Sequence, residues 1–236
     1  MGSANYDQLQ AVMHAYADWV RRSARRILPF LSPTGKAIVD FGCGQGDWLL
    51  EARALGAAAV LGLETYALEG GAILPVPTIA ADLTRAVTLD RRFDVALCLE
   101  VGEHIEARHA DTLVASLAAA APLVLFSAAV PGQGGVGHVN EQPPAYWHEK
   151  FQAHGMHCFD FRREIWADSD VEPWYVMNTL VFAAGGVVPD ALAPYRVSEP
   201  LHLVHPAVFG ARVTPVRDVI YHFNGHPAHW RTERLG

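Results

Sequence analysis

The chain has 236 residues and 25.7 kDa, enough to bury one sizeable core without help from disulfides or a structural metal. Its 51% hydrophobic and 18% charged composition excludes a disordered chain. The net charge of -7 gives no general attraction to a phosphate backbone, which argues against nucleic acid as a partner. Arg21, Arg22, Arg25 and Arg26 form the one basic cluster, read here as the solvated face of a helix. Cys43, Cys98 and Cys158 are far apart and form no CxxC pair, so reduced thiols and a cytoplasmic location are expected. The polar N-terminus does not read as a signal peptide. Residues 113–130 carry no charge, but Pro122 divides them into a helix end and a β-like run, so no membrane span is expected.

The first element is an amphipathic helix within residues 5–31, with Val12, Tyr16, Trp19, Val20, Ile27 and Leu31 on its apolar face. An α/β rhythm follows. Residues 37–41, 58–64, 77–82, 93–101 and 122–128 read as strands, the first three ending in an acid. Residues 47–55, 110–120 and 144–155 read as helices, and 157–165 and 175–184 as two closing strands. Alternating strands and helices predict a Rossmann-like, doubly wound α/β fold. Its mostly parallel sheet has seven strands, the last antiparallel. The core spans residues 35–185 of a single domain, and residues 186–236 form a C-terminal extension acting as a lid or a dimer contact.

Asp40-Phe41-Gly42-Cys43-Gly44-Gln45-Gly46 closes the first strand. Its glycines permit a tight turn and let a ligand approach the backbone beside the next helix N-terminus. The spacing is G-x-G-x-G rather than the dinucleotide pattern G-x-G-x-x-G. Asp40 would lie near a pyrophosphate and disfavour it, whereas an amino group is suited to the same place. Cys43 is expected to be a small packed side chain in this loop.

VDFGCGQG resembles the first motif of the class I S-adenosylmethionine-dependent methyltransferases. Further matches fall at successive strand ends. Glu64-Thr65 stands where the family holds the ribose hydroxyls, and Asp82-Leu83 where it holds the adenine. Glu100-Val101, in the run L-E-V-G-E-H, is similar to the segment after the family's fourth strand. The resemblance implies S-adenosyl-L-methionine as cofactor, held by Asp40, Gly42, Cys43, Gly44, Gly46, Glu64, Thr65, Asp82, Leu83, Glu100 and Val101. The run G-H-V-N-E-Q, Tyr146-Trp147 and the 171–178 segment resemble a subgroup of small bacterial methyltransferases of polysaccharide and natural-product biosynthesis. That resemblance implies a small-molecule acceptor.

Methyl transfer from a sulfonium is an in-line displacement, so alignment supplies most of the acceleration. A hydroxyl acceptor also benefits from a base, and histidine suits neutral pH. His138 lies in a glycine-rich loop after the fifth strand and His104 follows the fourth, and these are the two candidates. Glu103 reads either as a residue that orients a histidine or holds substrate, or as a helix-start acid. Asn140, Trp147, Glu172, Trp174, Tyr175 and Asn178 are candidate substrate contacts, with aromatic core and polar rim as the alternative. His222, His226 and His229 have helical metal-ligand spacing, but Gly225 and Pro227 break the helix, so no metal is expected. The expected reaction is O-methylation of a saccharide or natural-product hydroxyl by a monomer or homodimer. N-methylation of an amine or peptide is the alternative, followed by a non-catalytic cofactor-binding protein.

Overall fold

The computed structural model describes residues 17–65 and 75–208. Residues 17–27 are helical (α1) and lead through a short 3-10 turn at Leu28–Leu31 into the sheet. The strands are β1 Ala37–Phe41, β2 Ala59–Glu64, β3 Thr78–Ala80, β4 Val95–Leu99, β5 Leu123–Ser127, β6 Met156–Phe159, β7 Leu180–Ala184 and β8 Arg196–Val197. The helices between them are α2 Asp47–Ala54, α3 Ala110–Ala120, α4 Pro144–Ala153 and α5 Pro173–Asn178. The sheet order is β3-β2-β1-β4-β5-β7-β6-β8. Strands β1 to β5 pair in parallel, and β7 runs antiparallel to both β5 and β6.

Alternation along each strand explains why both faces of the sheet are covered. Val95, Leu97, Leu99, Leu123 and Leu125 join one core cluster with Val20, Ile27, Leu49 and Val176. Ala96, Cys98, Val124 and Phe126 join the other with Leu113, Leu117, Trp147 and Phe151. The uncharged run therefore divides as its Pro122 suggests, into α3 and β5, and no helix among the described residues is long and apolar enough to cross a membrane.

The described sheet has eight strands rather than the expected seven. The two-residue β8 pairs antiparallel with β6, at Cys158–Val197 and Phe159–Arg196. The first closing strand stops at Phe159, because Asp160 and Arg162 turn the chain into a 3-10 segment at Arg162–Glu164. The second begins only at Leu180. Pro173 in the first turn starts α5 instead, after an extended Glu172. Tail residues 222–229 and the expected helix start before residue 17 lie outside the described residues.

The basic cluster is internally neutralised. Arg21 and Arg25 bind the buried Glu51 at 2.8 and 3.0 Å, joining α1 to α2, and Arg26 reaches Asp168 at 2.6 Å. Burial pushes the Glu51 carboxyl up, but its two guanidinium partners override this and hold it below the usual value.

A second pair fastens the C-terminal segment. Arg162 is fully buried, and its guanidinium donates to Asp160 at 2.8 and 2.6 Å and to the carbonyls of Met177 and Leu201. Burial raises the Asp160 carboxyl, yet Arg162 wins and its pKa lies below normal. Removing the guanidinium strands that carboxylate. Arg162→Ala should therefore cost about 3–5 kcal/mol, a fall in Tm of roughly 6–20 °C in a thermal melt. An unchanged Tm would show that the buried pair does not hold the extension to the core.

Candidate active site

Strand order reverses between β1 and β4, which opens a crevice at their carboxyl ends. The glycine loop lies there. Gly46 adopts φ +83° at the N-cap of α2, and a Cβ on it would lie 2.7 Å from Val76. Gly44 also has positive φ, but an added Cβ there would meet nothing within 4 Å, so open space adjoins this part of the backbone. Its N–H donates to Glu64 Oε2 at 3.0 Å, while Thr65 N–H donates to Glu64 Oε1 at 2.8 Å. Asp40, Gly42, Cys43, Gly44, Gly46, Glu64 and Thr65 are thus brought to the ends of β1 and β2. Cys43 is packed and buried, which raises its thiol to about 12 and leaves it unreactive.

Asp82 and Leu83 follow β3. Thr65 Oγ1 donates to the Ala81 carbonyl, joining this segment to β2. Asp82 Oδ1 accepts from the backbone N–H and hydroxyl of Thr84, which hold its carboxyl below the usual value. Leu83 is buried. After β4, Val101 packs against Gly42, where an added Cβ would come within 2.6 Å of it.

Glu100 adopts φ +54°, an uncommon conformation for a side chain of this size. Its N–H is held by the carbonyl and hydroxyl of Ser127. Its carboxylate accepts from Asn178 at 3.1 and 3.2 Å and from Gln133 at 3.3 Å. Burial still raises its pKa, against these hydrogen bonds. Glu103, one turn further, is only 1% exposed, and its Oε2 makes no hydrogen bond. Burial and the neighbouring Glu100 hold the Glu103 carboxyl well above its ordinary value.

His104 and His138 meet edge to face, with ring centroids 4.9 Å apart. His104 Nδ1 lies 3.2 Å from the Gly137 carbonyl, and His138 Nδ1 lies 2.9 Å from Glu141 Oε1. Each Nδ1–H has an acceptor, so the lone pair of each neutral ring is at Nε2. Burial, with His138 adding, lowers the His104 pKa against the Gly137 carbonyl. His138 Nε2 is 4.0 Å from Glu103 Oε1. Gly135 lies directly over this ring, since an added Cβ would come within 2.3 Å of Nε2.

The glycine-rich loop is tied down at several points. Glu141 accepts from Gly132 and Gly134 as well as His138, and the Glu103 carbonyl accepts from Val139 and Asn140. Asn140 is buried and bonds to Gly102 and Gln142. Trp147 is buried against Phe126 and beside Gly102. Tyr175 is buried edge-on against Trp48. Glu172 receives no strand turn but begins α5, where its N–H donates to Ser23, and burial raises its carboxyl to about 7 against Arg22. Trp174 is half-buried against the α1–α2 side of the core. Of the substrate candidates, Asn178 is the one whose side chain bonds to a strand-end carboxylate.

Gln133 and Glu141 were not among the sequence candidates. The H-x-x-E spacing of His138 and Glu141 was the signal for the second, whereas nothing local marks Gln133.

Residues 16–165 match the methyltransferase-domain family, and the chain belongs to that family. Together with the strand-end motifs, this makes it an S-adenosylmethionine-dependent methyltransferase. No curated protein matches the chain in sequence. Several solved structures share its fold. DesVI of Streptomyces venezuelae is 14% identical with a TM-score of 0.53, covering 78% of this chain and 99% of its own. The sugar N-methyltransferase KedS8 of Streptoalloteichus is 16% identical with a TM-score of 0.52, covering 76% and 92%. The magnesium protoporphyrin IX methyltransferase of Synechocystis is 15% identical with a TM-score of 0.54, covering 77% and 94%.

Burial, with Glu64 adding, raises Asp40 from the ordinary 3.8 to about 7. The folded state therefore binds this proton more tightly than the unfolded chain, and stability falls as pH rises through that window. By pH 8 the ionised carboxylate costs the unliganded fold up to roughly 4 kcal/mol. Asp40→Asn should raise the unliganded Tm at pH 8 and raise it less at pH 5. An equal Tm difference at both pH values would contradict the buried-carboxylate assignment.

Proposed function

We propose that the chain transfers the methyl group of S-adenosylmethionine to a hydroxyl of a small saccharide or natural product. Glu64 would take the ribose hydroxyls, Asp82-Leu83 the adenine, and Asp40 with the Gly42–Gly44–Gly46 backbone the methionine end. The observation that carries the hydroxyl assignment is the imidazole pair. His104 and His138 both have Nδ1 beside an acceptor, leaving the lone pair of each neutral ring on Nε2, and the two rings meet edge to face beyond the end of β4. The exposed Val136 and Val139 flank His138 in the chain and offer apolar contact to a small acceptor.

In the reaction, the acceptor oxygen forms the new O–CH3 bond as the S–CH3 bond breaks and its electron pair stays on sulfur. The cofactor leaves as neutral S-adenosylhomocysteine. The hydroxyl proton must depart, and an Nε2 lone pair would accept it. Support for a small acceptor also comes from KedS8, described as a sugar N-methyltransferase. That neighbour gives the second reading its basis, because a free amine needs no deprotonation beyond its own titration.

Turnover on hydroxyl and amino saccharides separates the two. His138→Ala should slow hydroxyl methylation by about tenfold or more, the low end of base effects. S-adenosylhomocysteine affinity, measured by calorimetry, should not change. Equal rates for wild type and variant on the accepted substrate would remove the imidazole pair from acceptor activation and favour N-methylation.

A further inference from the structure

Glu103, His104 and His138 each present one ligand-type atom, all within 4.8 Å of one another. We propose that these three side chains form a binding site for a divalent first-row transition cation. Four features support this beyond their proximity.

Glu103 is almost wholly buried, yet one of its carboxylate oxygens has no hydrogen-bond partner. A second carboxylate, Glu100, is its neighbour, and no arginine or lysine among the described residues forms an ion pair with either. Neither carboxyl group has a cationic partner, and a bound divalent ion would supply one. The histidines are also held as metal-ligating histidines are. His138 Nδ1 meets Glu141 and His104 Nδ1 meets the Gly137 carbonyl, which sets each neutral tautomer with its lone pair on Nε2, and His138 Nε2 lies 4.0 Å from Glu103 Oε1. Finally, the supporting groups are themselves braced. Glu141 is held by Gly132 and Gly134, and the Glu103 carbonyl holds the chain at Val139 and Asn140.

The donor set selects the metal. Two imidazoles and one carboxylate suit zinc, manganese or iron(II), whereas magnesium and calcium prefer an all-oxygen shell. Three protein ligands leave open positions, and an acceptor oxygen can occupy one. With the ion bound the imidazole lone pairs are on the metal, so acidification of the hydroxyl by the ion, its proton leaving to water, would take the place of direct proton transfer to Nε2. This role rests on the O-methylation reading, but the binding claim rests on the side chains alone.

Cobalt(II) is the probe, because its visible d–d bands report coordination without any methyl transfer. The full-length chain, stripped with chelator and dialysed, should bind one equivalent of CoCl2 and release it to ZnCl2. Glu103→Gln and His138→Ala should each weaken cobalt binding by more than about tenfold, as should Glu141→Gln through its hold on His138. His104 is exposed, so His104→Ala serves as the variant least able to disturb folding, and it should weaken binding in the same way. Retained S-adenosylhomocysteine binding certifies each variant as folded. Absence of a saturable cobalt spectrum would overturn the proposal. So would folded variants that bind like wild type, since the ion would then sit on other histidines. A cobalt site without hydroxyl methylation leaves the site standing and sinks the acceptor reading, and the converse result does the reverse.

Discussion

A carboxylate taken out of water costs several kcal/mol unless hydrogen bonds or a positive charge replace the lost solvation. Asp40 and Glu103 are in that position, and Glu100 is partly so, all at or just beyond the carboxyl ends of β1 and β4. Two other buried acids have fixed cations: Glu51 has Arg21 and Arg25, and Asp160 has Arg162. Asp40, Glu100 and Glu103 have no arginine or lysine partner among the described residues. In the proposed reading, the three carboxyl groups without a cation are those that would face positively charged ligands. The sulfonium and ammonium of the cofactor would supply one such charge, and a divalent ion at the histidine pair would supply another.

The scaffold makes this arrangement affordable. Both faces of the sheet are covered by alternating apolar residues, so the strand ends are held by packing rather than by the polar groups they carry. Glu100 accepts an unfavourable backbone conformation because Ser127, Asn178 and Gln133 fix it from three segments. The result is a preorganised polar edge on a rigid sheet, which is what a reaction limited by alignment requires.

Much of this was legible in the sequence because its causes are local. A glycine in a left-handed turn and an acid at a strand end leave fixed spacings, and these located Asp40, Gly44, Glu64 and Asp82. The closing segment was misread for an equally local reason. Tyr175-Val176-Met177 has strand-like composition and runs straight into β7, but Pro173 after an extended Glu172 starts a helix. The two residues of β8 are too few to show a period. Burial of Trp147 and Tyr175 was not legible, since amphipathic aromatics suit either a rim or a core. The depth of Glu103 was hidden too, because a charged residue after a strand ordinarily faces water. Only the tertiary fold brings the loop of Glu141 and His138 over it.

The most direct test of the whole account is a crystal structure with S-adenosylhomocysteine bound. It should show the ribose on Glu64, the amino group beside Asp40 and the adenine at Asp82-Leu83. The open face of the sulfur should look toward the His104–His138 edge. A nucleoside bound away from the β1–β4 crevice, or a sulfur turned from that histidine pair, would contradict it.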